Sequence, residues 1–352
     1  MHKVPGPSAA STTADAPASG VGEARLELGL QTESWPYREP FRITDYVFTG
    51  ADVLTVTLRV GDVCGRGEAS GVYYKGETLP RLMQQIEAVR GEIEAGIGRD
   101  DLRELLPPGG ARNAVDCALW DLEAKRTGIP AWQTAGVGRP IPLRTTFTVG
   151  ADTPEAMADA ARAHRQARAI KLKLTPEGAA ECVRAVRAAR PEVWIGVDAN
   201  QGFTRASLEQ LMPVLVEARV GVIEQPLPRG EDAALEGLGS PIPLAADESV
   251  LSLGDIEPLA AYYDLINIKL DKCGGLTEGL MMAREVRRCG MKPMVGCMNG
   301  TSLAMAPAFV LGQLCDIVDL DAPVFLARDR EPAVEYANGD LWCPEAVWGA
   351  RT

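Results

Sequence analysis

Six short segments of this 352-residue chain carry charged side chains in a pattern suited to moving a proton. They read Ile170-Lys171-Leu172-Lys173, Val197-Asp198-Ala199-Asn200, Ile223-Glu224-Gln225-Pro226, Ala246-Asp247-Glu248-Ser249, Ile266-Asn267-Ile268-Lys269 and Asp319-Leu320-Asp321. Each ends or follows a short apolar run. Asp198, Glu224 and Asp247 come from consecutive runs, with Lys171 and Lys173 on the run before and Lys269 on the run after. Taken singly, each feature has an ordinary explanation. Asp198 and Asp247 suit helix N-caps, Lys171 and Lys173 suit an edge strand, and Asp319 and Asp321 suit a solvated loop. Together these explanations do not say why three successive strand ends each supply a carboxylate. Carboxylates gathered in an interior repel one another and are costly to bury. A divalent cation among them resolves the conflict, and an all-oxygen ligand set without Cys or His favours Mg²⁺ over zinc.

Lys171 and Lys173 are two residues apart, so on a strand they share a face. Lys269, four runs further on, belongs across the mouth of any closed sheet. Amines on opposite sides of a metal-held ligand can remove a proton from one face and deliver one to the other. A free lysine titrates at about 10.4, too high for a base at neutral pH. The neighbouring ammonium, the metal charge and partial burial are expected to favour the neutral form. One positioned base contributes roughly 10²–10⁴-fold, about 3–5.5 kcal/mol, whereas enzymes lower barriers by about 8–23 kcal/mol. Removing a proton α to a carboxylate creates a doubly charged ene-diolate, so the metal's charge has to supply most of the balance.

These segments need a frame. The apolar runs centre on Phe147, Ile170, Ile195, Val222, Leu244, Ile266, Met294 and Ile317, at intervals of 22 to 28 residues. Helix-sized stretches lie between them, among them 154–167, 177–189, 205–217 and 276–289. Eight strands in this rhythm predict a parallel α/β barrel, whose chemistry sits where the strands end. The rival, an open doubly wound sheet, lacks its usual Gly-rich dinucleotide turn here. Upstream, 24–30 and 53–60 alternate with period two and predict antiparallel strands. Ala114, Val115, Ala118, Leu119 and Leu122 form one stripe of a helix over 111–127, ended by Gly128 and Pro130. The expected organisation is a flexible leader over 1–22, an α+β capping domain over 23–140, the barrel over 141–325 and a tail over 326–352 that returns to the cap.

Composition narrows the function. With 36 Lys+Arg against 48 Asp+Glu, a net charge of −12 and two histidines, the chain is a poor fit for nucleic acid. No apolar run reaches membrane-spanning length, and residues 2–22 lack the apolar block of a secretory signal. Eight scattered cysteines without a C-x-x-C pair argue against zinc and against a disulfide scaffold. The expected setting is cytoplasmic.

The ordered set of segments resembles the enolase superfamily, and within it the dipeptide epimerases of the muconate lactonizing enzyme subgroup. The likeness runs from Glu23 to Trp342 and takes in Ala111-Arg-Asn-Ala-Val-Asp-Cys-Ala-Leu-Trp-Asp121 and Lys269-Leu-Asp-Lys-Cys-Gly-Gly275. It implies a modified (β/α)7β TIM-like barrel, lacking the final helix, under an α+β cap. It implies Mg²⁺ on Asp198, Glu224 and Asp247, and Lys173 and Lys269 as the acid/base pair, one per face. Lys171 would hold the substrate carboxylate. Thr148 and Cys297 match substrate contacts, although Cys297 suits a small buried apolar role equally well. Asp319 and Asp321 would receive the ammonium of an N-terminal residue through charge-assisted hydrogen bonds.

The implied reaction is 1,1-proton transfer at the α-carbon of the C-terminal residue of an L,X-dipeptide, by a chain that assembles into a homo-oligomer. L-Ala-D/L-Glu, a cell-wall peptide fragment, is the first candidate. Its glutamate side chain needs a cation from the capping loops, and Lys75 in the Gly71–Glu77 loop is nominated against the alternative of a solvated loop lysine. The enzymatic alternative is a lactonising or dehydrating member, of the muconate cycloisomerase or o-succinylbenzoate synthase type. A non-catalytic binding protein on the same scaffold has no use for a lysine pair.

Overall fold

A computed structural model describes residues 25–44 and 46–350. The leader expected over 1–22 lies outside the described residues.

Period-two alternation builds the N-terminal layer. Strands β1 (Glu27–Ile43), β2 (Tyr46–Val60) and β3 (Val63–Ala69) form an antiparallel sheet in that order. Leu54, Val56 and Leu58 point inward and are fully buried. They meet Ala114, Val115, Ala118 and Leu122 of the helix Gly110–Thr127. Gly65 and Gly67 let sheet and helix touch, because a Cβ on either would collide with the backbone at Ala118 or Ala114. The β1–β2 ribbon is far longer than the stretches 24–30 and 53–60 predict. A register shift between Pro36 and Phe41 interrupts it. Proline cannot donate to the ladder, so the alternation breaks there and hides the continuation. The extension carries the hairpin tip to the mouth of the second layer.

After the short β4 (Leu143–Arg144) come eight parallel strands, each bonded to the next. They are β5 (Phe147–Val149), β6 (Ala169–Lys173), β7 (Trp194–Asp198), β8 (Val220–Glu224), β9 (Leu244–Ala246), β10 (Leu265–Lys269), β11 (Lys292–Gly296) and β12 (Ile317–Asp319). All eight predicted centres fall within them. The Thr146 N–H donates to Val318 O at 3.0 Å, so the two ends of the sheet meet and the barrel nearly closes. Every residue of β6 and of β10 is buried, as expected of parallel strands covered on both faces. Helices Pro154–Ala163, Ala179–Ala189, Arg205–Glu217, Leu276–Arg288 and Ser302–Gly312 cover the outside. The βα rhythm thins after β8 and β9, where short turns at Asp232–Leu235, Leu253–Asp255 and Ile256–Leu259 stand in for helices. Pro226, Pro228, Gly230, Gly237, Gly239 and Pro241 leave no uninterrupted helical stretch after β8.

The tail first returns to the base of the barrel, where β13 (Glu335–Ala337) and β14 (Asp340–Trp342) pair with β4. Beyond it, the Trp348 indole donates to Arg66 O at 2.9 Å and to Cys117 O at 3.2 Å. The last described residues therefore lie on the N-terminal sheet and its helix. Among the described residues no helix is long and apolar enough to cross a membrane.

Candidate active site

Register aligns the charged residues on one rim. Lys173 pairs with Asp198, and Asp198 with Glu224, across β6, β7 and β8. Asp247 follows the end of β9. Asp198, Glu224 and Asp247 each offer an oxygen within 4.8 Å of the others, and none is more than 1% exposed. The backbone turns sharply beyond them. Asn200, Gln201 and Gln225 take positive φ values of 42°, 70° and 34°, a strained region for non-glycine residues that clusters at functional sites.

The lysines reach this triad from two sides. Lys173 Nζ donates to Asp198 Oδ2 at 2.6 Å, and Lys269 Nζ to Asp247 Oδ2 at 2.7 Å. Lys171 Nζ lies 3.0 Å from Asp198 Oδ2, 2.8 Å from Glu224 Oε2 and 2.8 Å from Asp319 Oδ2. Two groups that the sequence reading gave no role complete the arrangement. The Asn267 amide donates to Glu224 Oε1 at 2.9 Å. Lys272 Nζ donates to Asp247 Oδ1 at 2.5 Å and to the carbonyls of Asp247 at 2.5 Å and Asn267 at 3.0 Å. Asn267 was recoverable, since it stands two residues before Lys269 on the same strand face. Lys272 was not, because it sits in the helical turn Leu270–Cys273 that folds back under Asp247.

Burial and mutual charge set the titration. Burial, with Asp198 beside it, pushes the Glu224 carboxyl up to about 8. Burial acts the same way on Asp198, but Lys171 and Lys173 outweigh it and hold that carboxyl below its ordinary range. Two of the lysines feel burial and the surrounding carboxylates in opposite senses. Burial does pull the Lys171 and Lys269 ammoniums down. The carboxylates Asp198, Asp319 and Glu224 around Lys171, and Asp247 beside Lys269, overcome it and hold both well above the usual value. The residues fit a divalent cation. The donor set is three buried carboxylates, each with an oxygen drawn toward one point.

Asp319 and Asp321 stand beside the triad. Asp319 accepts from Thr146 Oγ1 at 2.5 Å and from Lys171, while Asp321 accepts the Thr148 N–H at 2.6 Å. Burial and the charge on Asp319 push Asp321 up to about 7. Burial, with Asp319 and Asp321 nearby, lifts the Cys297 thiol to about 12. Thr148, Cys297, Asp319, Asp321 and the three lysines Lys171, Lys173 and Lys269 line one cavity. Lys75 is not among its lining residues. Its ammonium lies 3.9 Å from Glu77 Oε1 in the exposed part of the loop, so the nominated cation is elsewhere. The lid of the cavity is instead Tyr37, Phe41, Ile43, Phe48, Tyr73 and Phe325.

A capped, nearly closed α/β barrel with three rim carboxylates between two lysine-bearing strands defines a class of proton-transfer enzymes. Residues 155–347 match the family described as Enolase C-terminal domain-like, and residues 25–136 match Mandelate racemase / muconate lactonizing enzyme, N-terminal domain. The chain is 39% identical over 311 residues to the L-Ala-D/L-Glu epimerase of Escherichia coli (strain K12), covering 88% of this chain and 97% of that one. It is similar in structure to an enolase family member from Agrobacterium tumefaciens with homology to dipeptide epimerases, which holds sodium and L-Ala-L-Glu. The TM-score is 0.90 at 41% identity, over 92% of this chain and all of that one. The dipeptide epimerase of Methylococcus capsulatus, complexed with Mg and L-Arg-D-Lys, matches with a TM-score of 0.84 at 31% identity, over 90% and 96% of the two chains. This chain belongs to the enolase superfamily, in the group of its dipeptide epimerases.

Proposed function

We propose that this chain is a Mg²⁺-dependent dipeptide epimerase, an isomerase that inverts the α-carbon of the C-terminal residue of a dipeptide. The observation that carries the reading is the pair Lys173 and Lys269. They stand on β6 and β10, four strands apart in an eight-stranded sheet, with the triad between them. Asp198, Glu224 and Asp247 hold the cation. Bound there, Mg²⁺ supplies positive charge where negative charge develops on the substrate carboxylate and relieves the pull of Asp198 and Asp247 on the lysines.

The chain's own groups do the rest. Lys171 holds the substrate carboxylate. Asp319 and Asp321, beside Thr148 and Cys297, receive the ammonium of the N-terminal residue. The α-carbon then lies between the two amines. One lysine, neutral, takes the α-proton and becomes an ammonium; the other, already an ammonium, gives its proton to the opposite face and becomes neutral. The cap excludes water while the carbanion exists. The lactonising or dehydrating alternative needs no acidic pair for an ammonium, and Asp319 and Asp321 would repel the carboxylates of such substrates. The acidic balance of the chain and its eight free cysteines support a cytoplasmic setting without nucleic-acid or membrane partners. We assign it a homo-oligomeric assembly on the family resemblance.

Proton NMR in D₂O with a dipeptide panel tests the reading. Deuterium is expected at the C-terminal α-position with both epimers appearing, and loss of water or ring closure overturns it. Lys173→Met and Lys269→Met are each expected to lower epimerisation roughly 10²–10⁴-fold. EDTA is expected to abolish turnover and added Mg²⁺ to restore it; full activity in a chelated sample contradicts the metal assignment.

A further inference from the structure

The cavity has two unlike sides. The barrel side is charged, and the cap side is apolar. Tyr37, Phe41 and Phe325 cluster over the half that holds Asp321 and Cys297: ring centroids lie 4.5 Å apart for Phe41 and Phe325 and 5.9 Å apart for Tyr37 and Phe325, and all five residues line the cavity. Phe48 and Tyr73 cover the other half. Their centroids are 5.3 Å apart, and the Tyr73 hydroxyl feels Lys269, Glu248, Asp247 and Asp198, the groups around the reacting carbon. Tyr46 packs edge-on against Tyr73 at 4.6 Å and, with Val47, continues this wall outward as exposed apolar surface.

Given the dipeptide epimerase reading, on which this step rests, we infer that the wall of Phe48 and Tyr73 selects dipeptides whose C-terminal side chain is uncharged and apolar or aromatic, rather than glutamate. A glutamate side chain pointed at the cap needs a cationic partner, since a buried carboxylate without one is costly. Among the described residues the cap side of the cavity supplies none. The three lysines in the lining are each within 3.0 Å of a rim carboxylate. Lys75 faces Glu77. Arg330 is committed to Glu33 and Glu68, and Arg328 lies over the Trp35 ring at 5.5 Å. An aromatic or branched aliphatic side chain gains burial against Phe48 and Tyr73 at no such cost.

The experiment measures α-proton exchange in D₂O as kcat/KM for L-Ala-L-Phe, L-Ala-L-Leu, L-Ala-L-Glu and L-Ala-Gly, the last having no side chain to meet the wall. The Phe and Leu dipeptides are expected to exceed the Glu dipeptide by at least about tenfold. A Glu dipeptide as good as or better than both overturns the inference. Exchange of none of the four, Ala-Gly included, sinks the epimerase reading and the wall assignment with it. Phe48→Lys places a cation in the wall and is expected to raise the Glu:Phe ratio about tenfold. Phe48→Ala is expected to lower the Phe:Gly ratio. Unchanged ratios in both variants overturn the role of Phe48, whatever happens to absolute rates.

Discussion

Asp247 is anchored on both oxygens, by Lys269 on one and Lys272 on the other. The two lysines are not equivalent. Lys269 lines the cavity, whereas Lys272 is 1% exposed and also bonds two backbone carbonyls. Lys272 is a positioning residue: it fixes where Asp247 presents its carboxylate to a metal. Groups that orient ligands from behind cost roughly 10–100-fold in metal affinity when removed. Lys272→Met keeps the volume and removes the charge. Titrating Mg²⁺ by calorimetry and by activity is expected to show the half-saturating concentration raised by that factor, with kcat at saturating metal lowered much less. A fall in kcat with an unmoved Mg²⁺ midpoint contradicts this role.

At the scale of elements, the loop that carries Tyr73 is clamped to the barrel by Asp271. Its Oδ1 accepts the Ser70 and Gly71 N–H groups, each at 3.0 Å, from the turn just after Lys269. Burial lifts this carboxyl to about 7, with Glu77 and Glu68 adding to it. The folded-state value stands above the unfolded one, so between about pH 4 and 7 the unfolded chain ionises first. Stability is therefore lost as pH rises through that window, by roughly 4 kcal/mol from this group. Asp271→Asn removes that contribution and adds a pH-independent cost for its amide. Thermal melts at pH 5 and pH 8 are expected to show the variant gaining on the parent as pH rises; a constant difference rejects the assignment. The elements that place this clamp were partly legible beforehand. Apolar runs at 22 to 28 residues marked all eight barrel strands, because parallel strands buried on both faces read as unbroken apolar stretches. The same logic brought Lys173, Asp198, Glu224, Asp247 and Lys269 to one rim, since strand ends in a barrel share a face. The hairpin tip was not legible, because Pro36 ends the alternation that marks β1. Nor was the direction of Lys75, which no periodicity encodes and which a carboxylate two residues on decides.

Across the whole molecule, one network joins cap, barrel and tail. Glu68, at the end of β3, is 1% exposed and accepts the Thr301 N–H at 2.7 Å and the Thr301 hydroxyl at 2.6 Å. Arg330 in the tail donates to the same carboxylate at 2.7 and 3.0 Å, to Thr301 Oγ1 at 2.7 Å and to Thr55 Oγ1 at 3.0 Å. Thr301 caps the helix Ser302–Gly312 and closes the loop that holds Cys297 and Met298 in the cavity wall. Arg330→Leu thus leaves a buried carboxylate without its cation, a change that costs about 3–5 kcal/mol. The urea midpoint is expected to fall accordingly. KM is expected to rise with it, because the loop after β11 loses the partner of its cap. If the loss comes from the stranded charge, Glu68→Gln in the same background restores part of the stability, since a neutral amide has less to lose by burial. A double variant no more stable than Arg330→Leu alone shows instead that the guanidinium acts through packing on Trp35, whose ring centroid lies 5.1 Å from it.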